Sequence, residues 1–197
     1  MFNLQSLSPD VHALIFDCDG TLVDTPPIYA KAWAKGFALS GIAMETEWYM
    51  ARAGMSAHML MDAFEAQHGV TLKRRQIIRV MRAVFAAGID QLCEIPAITD
   101  IARRNKGRLP MAVASGGTTE IVTATLRATN LLPMFDVVVT LDDVKRAKPE
   151  PDLFREAARR LGVDPVHCLV FEDSREGLEA AKRAGMPAVD VVEVLSF

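Results

Sequence analysis

Short apolar runs alternate with longer amphipathic segments along most of this chain. Five of these runs are rich in Val, Ile, Leu or Ala, as buried parallel strands are, and they lie at 12–17, 110–114, 136–140, 168–172 and 188–192. Between the later runs, the spacing of apolar residues predicts helices over 118–129, 151–161 and 175–184. The alternation predicts an α/β fold, a doubly wound parallel sheet with right-handed crossovers.

The segment between the first two runs differs, because it carries helical periodicity and no strand pattern. Glycines separate four helical stretches, Pro26 and Pro27 suit a first helical turn, and Ser56 and Thr71 are candidate N-caps. We therefore expect an all-helical cap domain at 25–93, inserted into a core built from 1–24 and 94–197, with the return linker at 88–96. Such a block can exclude water from the strand ends.

Composition narrows the class of protein. The 197 residues are 50% hydrophobic, enough for a core plus an insertion, and a net charge of −3 gives no basic footprint for nucleic acid. No apolar stretch approaches the roughly 18 residues of a membrane span, and the polar start at 3–9 does not resemble a signal peptide. Three cysteines, Cys18, Cys93 and Cys168, lack paired spacing. We expect a cytoplasmic monomer without membrane or nucleic-acid partners.

The first apolar run ends in two aspartates, Asp17 and Asp19, separated by one residue. At the carboxyl edge of a parallel sheet they would converge on the crevice where open α/β sheets bind ligands. Two carboxylates that close require a metal ion or a shared proton. On these residues alone, two interpretations are equally good. The aspartates can serve as a nucleophile and an acid/base around a divalent cation, or they can simply end a strand in an Asp-Gly turn.

Three later segments supply parts that phosphoryl chemistry requires. Ser115 and Gly116 end a strand and open a helix whose free N–H groups favour phosphate. Lys148 is a cation in a segment that the following proline should keep extended. Glu172 and Asp173 end another strand and are ligands of the kind that suits Mg²⁺.

Taken in order, the segment at 17–19 and these three later segments resemble the four motifs of the haloacid dehalogenase superfamily of phosphohydrolases. The insertion after Asp24 makes the chain similar to the β-phosphoglucomutase-like subgroup. Ala32-Trp33, Ala147-Lys148-Pro149 and the segments 172–174 and 184–190 are most similar to its fructose-1-phosphate phosphatase-like members. The resemblance implies a Rossmann-like catalytic core and Mg²⁺-dependent hydrolysis of a small phosphate ester, such as a sugar phosphate.

The same resemblance implies a role for each motif residue. Asp17 is the nucleophile that forms an aspartyl phosphate, and Asp19 is the acid and then the base. The phosphate is bound by Ser115, the N–H of Gly116 and Lys148. The Mg²⁺ ligands are Asp17, Asp173 and the backbone carbonyl of Asp19, with Glu172 as a direct or outer-shell ligand.

Two departures from the subgroup bear on the reaction. Its sugar-phosphate mutases carry a histidine at the position of Tyr29 and an arginine at that of Ala57, although Arg52 is nearby. A phosphatase holds only one phosphate, so these differences favour hydrolysis. A sugar-phosphate mutase is the alternative, and a non-catalytic sugar-phosphate binder is a third interpretation. Asp19 itself points to phosphate esters, because the dehalogenases and phosphonate hydrolases of the superfamily lack an aspartate there.

Overall fold

Five parallel strands form a single sheet in the computed structural model, which describes residues 8–195. The expectation for the polar start of the chain therefore lies largely outside the described residues. The strand order is β3-β2-β1-β4-β5. The strands are β1 (Ala13–Phe16), β2 (Met111–Ala114), β3 (Val137–Val139), β4 (Cys168–Glu172) and β5 (Ala188–Asp190).

Helices account for most of the remaining described chain. None of those within 8–195 combines the length and the hydropathy needed to span a bilayer. The helices are α1 (Pro26–Phe37), α2 (Thr46–Met50), α3 (Ala57–His68), α4 (Arg74–Ala87), α5 (Pro96–Asn105), α6 (Thr119–Ala128), α7 (Asp152–Leu161), α8 (Arg175–Ala184) and α9 (Val191–Leu195).

The central strand β1 is buried on both of its faces. Strand alternation directs Leu14 and Phe16 into one apolar cluster, and Ala13 and Ile15 into a second cluster on the other side of the sheet. The ring of Phe16 stacks on Phe171, its partner in β4, with centroids 4.8 Å apart. Apolar layers on both faces are typical of a doubly wound sheet, and the predicted α/β class is confirmed.

Residues 24–93, all described, contain helices α1 to α4 and no strand. Helix α1 packs against α4, where Gly36 leaves room for Ile77. Phe37 stacks on Phe64 at 4.1 Å, and Trp48 meets the Phe64 ring edge-on. The helical segment thus has an aromatic core of its own.

The chain enters and leaves the helical segment at one place. The N–H of Asp24 donates to the carbonyl of Cys93 at 2.9 Å, and that of Ile95 donates to Leu22, also at 2.9 Å. The predicted linker at 88–96 therefore lies beside the loop that follows β1.

Two expected element boundaries are wrong. Thr71 is not an N-cap, because Leu72 N–H donates to Glu65 Oε1 at 2.7 Å and helix α4 begins only at Arg74. The fifth strand stops at Asp190 rather than 192, because the Asp190 carboxylate accepts the N–H of Val192 at 2.9 Å and starts α9. Ser56 does cap α3, accepting the N–H of Met59.

Candidate active site

The loop after β1 places Asp17 at the carboxyl edge of the sheet. The N–H of Asp17 donates to the carbonyl of Phe171 at 2.9 Å, so this residue continues the strand ladder. Gly20 then turns the chain with a φ of 85°, and a β-carbon at this position would collide with Asp173. The tight turn therefore needs glycine and brings the first motif against the end of β4.

Lys148 joins two of the predicted carboxylates. Its Nζ lies 2.5 Å from Asp17 Oδ1 and 2.6 Å from Glu172 Oε2. Burial alone lowers the pKa of Lys148, but the two carboxylates outweigh it and raise the pKa above its usual value, so the ammonium stays charged. The predicted extended segment is wrong, since Lys148 lies in a turn closed by a 3.0 Å bond from Glu150 N–H to Ala147 O.

Carboxylate oxygens of Asp17, Glu172 and Asp173 lie within 4.8 Å of one another. Burial raises the pKa of Asp17 well above its ordinary value, and the charge of Glu172 raises it further. Burial and Glu172 also raise the pKa of Asp173 to about 7, although Thr21 Oγ1 donates to Asp173 Oδ1 at 3.2 Å. Among the described residues, Lys148 is the cation bonded to this cluster of three carboxylates. Their oxygens form a donor set that fits a hard divalent ion such as Mg²⁺.

Glu172 is held at both carboxylate oxygens. Oε2 accepts from Lys148, while Oε1 accepts from Ser174 N–H at 3.0 Å and from Ser174 Oγ at 2.7 Å. The side chain of Glu172 fills the space that a β-carbon at position 177 would need, so Gly177 is part of this arrangement. Glycine within a helix lowers helix stability by about 1 kcal/mol relative to alanine. At position 177 it leaves the space that the Glu172 carboxylate occupies.

The segment after β2 brings Ser115 close to Asp19. Ser115 is fully buried, its Oγ accepts the N–H of Gly117 at 3.0 Å and it lies 3.4 Å from Asp19 Oδ2. Within residues 8–195 the N–H of Gly116 has no partner. The N–H of Thr119, at the start of α6, is already bonded to Asp142 at 2.8 Å. The donors open to a phosphate here are thus the loop groups rather than that helical N–H.

Asp19 stands apart from the acidic cluster. Its Oδ1 is buried without a hydrogen-bond partner among the described residues, and burial raises the pKa of the side chain above its ordinary value. A carboxyl with a raised pKa and an unused oxygen can carry a proton to a bound group. The expected metal contact through its backbone carbonyl stays a prediction.

The structure brings all the predicted side chains to one edge of the sheet, and it adds two residues that sequence reasoning missed. Ser174 and Gly177 fix Glu172, as described above. A signal for them existed in the sequence, because Ser-x-x-Gly directly after the two acids places a good N-cap and a poor helix former in the first turns of one helix.

Comparison with known proteins identifies the relatives of the chain. The haloacid dehalogenase-like hydrolase family matches residues 11–185. The fructose-1-phosphate phosphatase YqaB of Escherichia coli K12 is 37% identical over 179 residues, covering 90% of this chain and 95% of that protein. The 6-phosphogluconate phosphatase of the same strain is 32% identical, covering 89% and 80%.

A solved structure shares both the fold and part of the sequence. CbbY from Rhodobacter sphaeroides, crystallised in complex with phosphate, superposes with a TM-score of 0.78 at 30% identity and covers 90% of this chain and 84% of its own. The family match, the two phosphatase relatives and the parallel sheet with its acidic cluster agree with one another. This chain therefore belongs to the haloacid dehalogenase-like hydrolases and is a phosphatase of that family.

Proposed function

We propose that the protein is a Mg²⁺-dependent phosphomonoesterase that hydrolyses a small sugar phosphate through an aspartyl phosphate on Asp17. The observation that carries the proposal is the position of Asp17, whose carboxylate is paired with Lys148 and lies within 4.8 Å of the oxygens of Glu172 and Asp173. A carboxylate so placed can attack the phosphorus of an ester, which splits one difficult displacement into two.

Asp17 must be ionised to attack. Burial and the neighbouring acids raise its pKa, and the Lys148 ammonium acts in the opposite direction. Asp17 and Asp173 would hold Mg²⁺, with the carbonyl of Asp19 as a further ligand. When bound, the ion supplies the positive charge that offsets repulsion between these carboxylates and a phosphate dianion. Because both oxygens of Glu172 are already bonded, we assign it to orienting Lys148 and to the outer shell of the metal.

The remaining motif residues serve the transferred group and the leaving oxygen. Ser115 Oγ, the free N–H of Gly116 and Lys148 Nζ would bind the phosphate oxygens, where charge changes in the transition state. Asp19 gives its proton to the leaving oxygen and then takes one from the water that attacks the phosphorylated Asp17. Its buried Oδ1, which has no hydrogen-bond partner among the described residues, and its lack of an ion pair support this assignment.

We infer that 25–93 acts as a cap domain over a core made from 1–24 and 94–197. The two crossings beside Asp24 and Cys93 support a hinge at this place, since they are the points where the helical segment joins the sheet. A cap that closes over the carboxyl edge would exclude water during the first step. The free thiols of Cys18, Cys93 and Cys168 support a reducing, cytoplasmic setting.

Hydrolysis is favoured over the mutase reaction by the surroundings of Arg52. A mutase must hold a second phosphate, and Ala57 offers no charge for it. The guanidinium of Arg52 lies 4.3 Å from the centroid of the Trp48 ring, and its Nη1 donates to the Trp48 carbonyl at 2.9 Å. These contacts hold the cation against α2, which precedes Arg52, and this favours a phosphatase over a mutase.

The test is phosphate release from a panel of small phosphorylated metabolites, with Mg²⁺ and with excess EDTA. We expect turnover of at least one sugar phosphate with Mg²⁺, none in EDTA, and recovery on adding the metal back. Asp17→Asn should reduce turnover to below about a hundredth of wild type, because an amide cannot form the acyl phosphate. Asp24→Asn, the same change on an exposed carboxylate of the same loop, is the matched control and should stay active.

Three results would contradict the proposal. Full turnover in EDTA would exclude the metal, and an active Asp17→Asn variant would exclude the nucleophile. Interconversion of sugar phosphate isomers in the presence of a bisphosphate, with little free phosphate, would establish the mutase instead.

A further inference from the structure

The ammonium of Lys148 lies over the face of a buried aromatic ring. Its Nζ is 5.0 Å from the centroid of the Phe154 ring, within the roughly 6 Å over which an aromatic face attracts a cation. Phe154 is fully buried, and the side chain of Lys148 is only 10% exposed. Water therefore screens this contact little, and a desolvated cation–π pair is stronger than an exposed one.

Phe154 is the uncharged partner of Lys148, beside two carboxylates. An ammonium carries three N–H donors, and Lys148 directs two of them at Asp17 and Glu172. The ring attracts the charge as a whole and does not require an N–H of its own. The third donor therefore stays available for a phosphate oxygen.

The start of α7 fixes the ring relative to the lysine. Helix α7 begins at Asp152, four residues after Lys148. Arg146 donates to Asp152 Oδ2 from Nε at 3.1 Å and to Asp152 Oδ1 from Nη2 at 2.7 Å, so this two-point bond spans the loop of Lys148. Bidentate pairs of this kind fix geometry as well as adding free energy. Phe154 itself packs in the apolar cluster that contains Ile15.

One of the two carboxylates changes during the proposed reaction. An Asp17 oxygen bonds to phosphorus as the bond from phosphorus to the alcohol oxygen breaks, and that alcohol oxygen takes the proton of Asp19. The carboxylate that pairs with Lys148 is then lost until water releases the phosphate. Phe154 and Glu172 take no part in these bond changes, so they attract the ammonium throughout.

We propose that Phe154 is a positioning residue that keeps the Lys148 ammonium in place, so that the ammonium meets the transferred phosphate in both steps. The ring acts through Lys148 and touches neither the substrate nor the metal. The inference rests on the proposed function and adds to it a residue outside the four motifs.

Fluorination of Phe154 tests this role with little change in shape. Site-specific incorporation gives Phe154→4-fluorophenylalanine and the corresponding 3,5-difluoro and 3,4,5-trifluoro variants, in which the negative face of the ring weakens in steps. We expect kcat/KM to fall with each fluorine, by about 3- to 10-fold over the series, as for partial loss of a desolvated cation–π pair. The loss should be equal for fructose 1-phosphate and p-nitrophenyl phosphate, because Lys148 would contact the phosphate that they share.

Phe37 is the matched control, because it is also fully buried and its ring packs on three neutral rings, those of Trp33, Trp48 and Phe64. The same analogues at position 37 should leave kcat/KM unchanged. Thermal unfolding of both series separates a loss of folded protein from a loss of positioning. An equal decline of kcat/KM in the two series, or a decline at 154 that does not follow the number of fluorines, would overturn the role of Phe154.

Phosphate binding separates this inference from the catalytic one. Calorimetry of inorganic phosphate with the same variants should show the affinity falling in the same steps, since the ammonium attracts a phosphate whether or not an ester turns over. If wild type releases no phosphate from any ester but the affinity falls with fluorination at 154, the catalytic proposal fails and the role of Phe154 stands. If wild type hydrolyses its ester and neither measurement follows the fluorines, Phe154 does not position Lys148.

Discussion

Asp17 and Asp19 are identical side chains two positions apart, and their contacts differ. Lys148 Nζ lies 2.5 Å from Asp17 Oδ1, whereas the Ser115 hydroxyl donates to Asp19 Oδ2 at 3.4 Å. Burial raises the pKa of both side chains, and it raises that of Asp17 well above its ordinary value even with Lys148 beside it. The direct ion pair to Lys148, which Asp19 lacks, is what separates the two. Pairs of carboxyl groups in unlike surroundings can divide nucleophile and acid/base roles between them. The local contacts, rather than the residue type, support the assignment.

This division of roles predicts the behaviour of Asp19→Asn. A substrate with a good leaving group, such as p-nitrophenyl phosphate, should still phosphorylate Asp17, because departure of nitrophenolate needs no acid. Hydrolysis of the intermediate should slow about 10²- to 10⁴-fold without the base. Rapid-mixing kinetics should show a burst of nitrophenolate, and mass spectrometry should find phosphate on Asp17.

Asp17→Asn supplies the control for that burst, since it should give none. Wild-type turnover of sugar phosphates by Asp19→Asn would mean that Asp19 has a structural role only.

Among the elements, α7 carries a group of surface ion pairs near its carboxyl end. Glu156 accepts from Arg159 at 2.7 and 2.8 Å and from Arg160 at 2.6 Å, and these bonds lower its pKa to about 2. Cations in the last turn also suit the helix dipole. Solvent screens such pairs, so their contribution to the free energy of unfolding is about 0.5 kcal/mol.

Glu156→Gln should therefore lower the free energy of unfolding slightly at pH 7. The folded-state pKa is depressed, so the stabilisation is present above the unfolded value of 4.5 and is lost as pH falls towards 2. Urea unfolding of both proteins at several pH values checks this, and the two curves should converge in that window. A difference that persists at pH 2 would mean that the glutamine disturbs packing.

The elements also show how far the sequence predicts the fold. All five strands and the helical segment were predictable, because burial on both faces of a parallel sheet leaves short apolar runs. The boundary at Thr71 was not, since it depends on a bond from Leu72, in the loop before α4, back to Glu65 in α3. Nor was the turn at Lys148, because a proline restricts its predecessor without fixing how the loop folds.

The motif residues of the candidate site were predictable for a different reason. They follow the strands directly, and parallel strands bring their carboxyl ends to one edge. The spacing of the motifs along the sequence does not predict which of these side chains bond to one another. The double contact of Lys148 joins distant parts of the chain, and the packing of Glu172 against Gly177 depends on how β4 meets α8, so both appear only in three dimensions.

At the scale of the whole molecule, the helical segment touches the sheet next to the acidic cluster. Gly54 has a φ of 90°, and a β-carbon there would lie 2.7 Å from Ser174 Cβ. Real β-carbons essentially never approach so closely, so one of the two segments would have to move. This contact sets how near the loop after α2 comes to the end of β4.

Gly54→Ala should lower kcat/KM by about 10-fold, on the order of 1–2 kcal/mol for strain at this contact. Gly69→Ala is a matched control, because Gly69 also has a positive φ of 65° but would meet nothing within 4 Å. Gly69→Ala should lose about 1 kcal/mol of unfolding free energy for a left-handed alanine. Gly54→Ala should lose more, because it adds the contact with Ser174. Steady-state kinetics and thermal unfolding of the pair give the answer, and equal kcat/KM values would show that the contact has no part in catalysis.

Because Glu172 packs against Gly177, substitutions at these two positions depend on each other during evolution. A side chain at 177 is incompatible with a full-length glutamate at 172, whose carboxylate already occupies that volume. Neither position can therefore change alone. Alanine at 177 is tolerated only after the side chain at 172 has become shorter, and a shorter side chain at 172 would no longer bind Lys148. A route of single substitutions out of this arrangement passes through a variant with a loosened lysine, so selection for activity should keep the pair together.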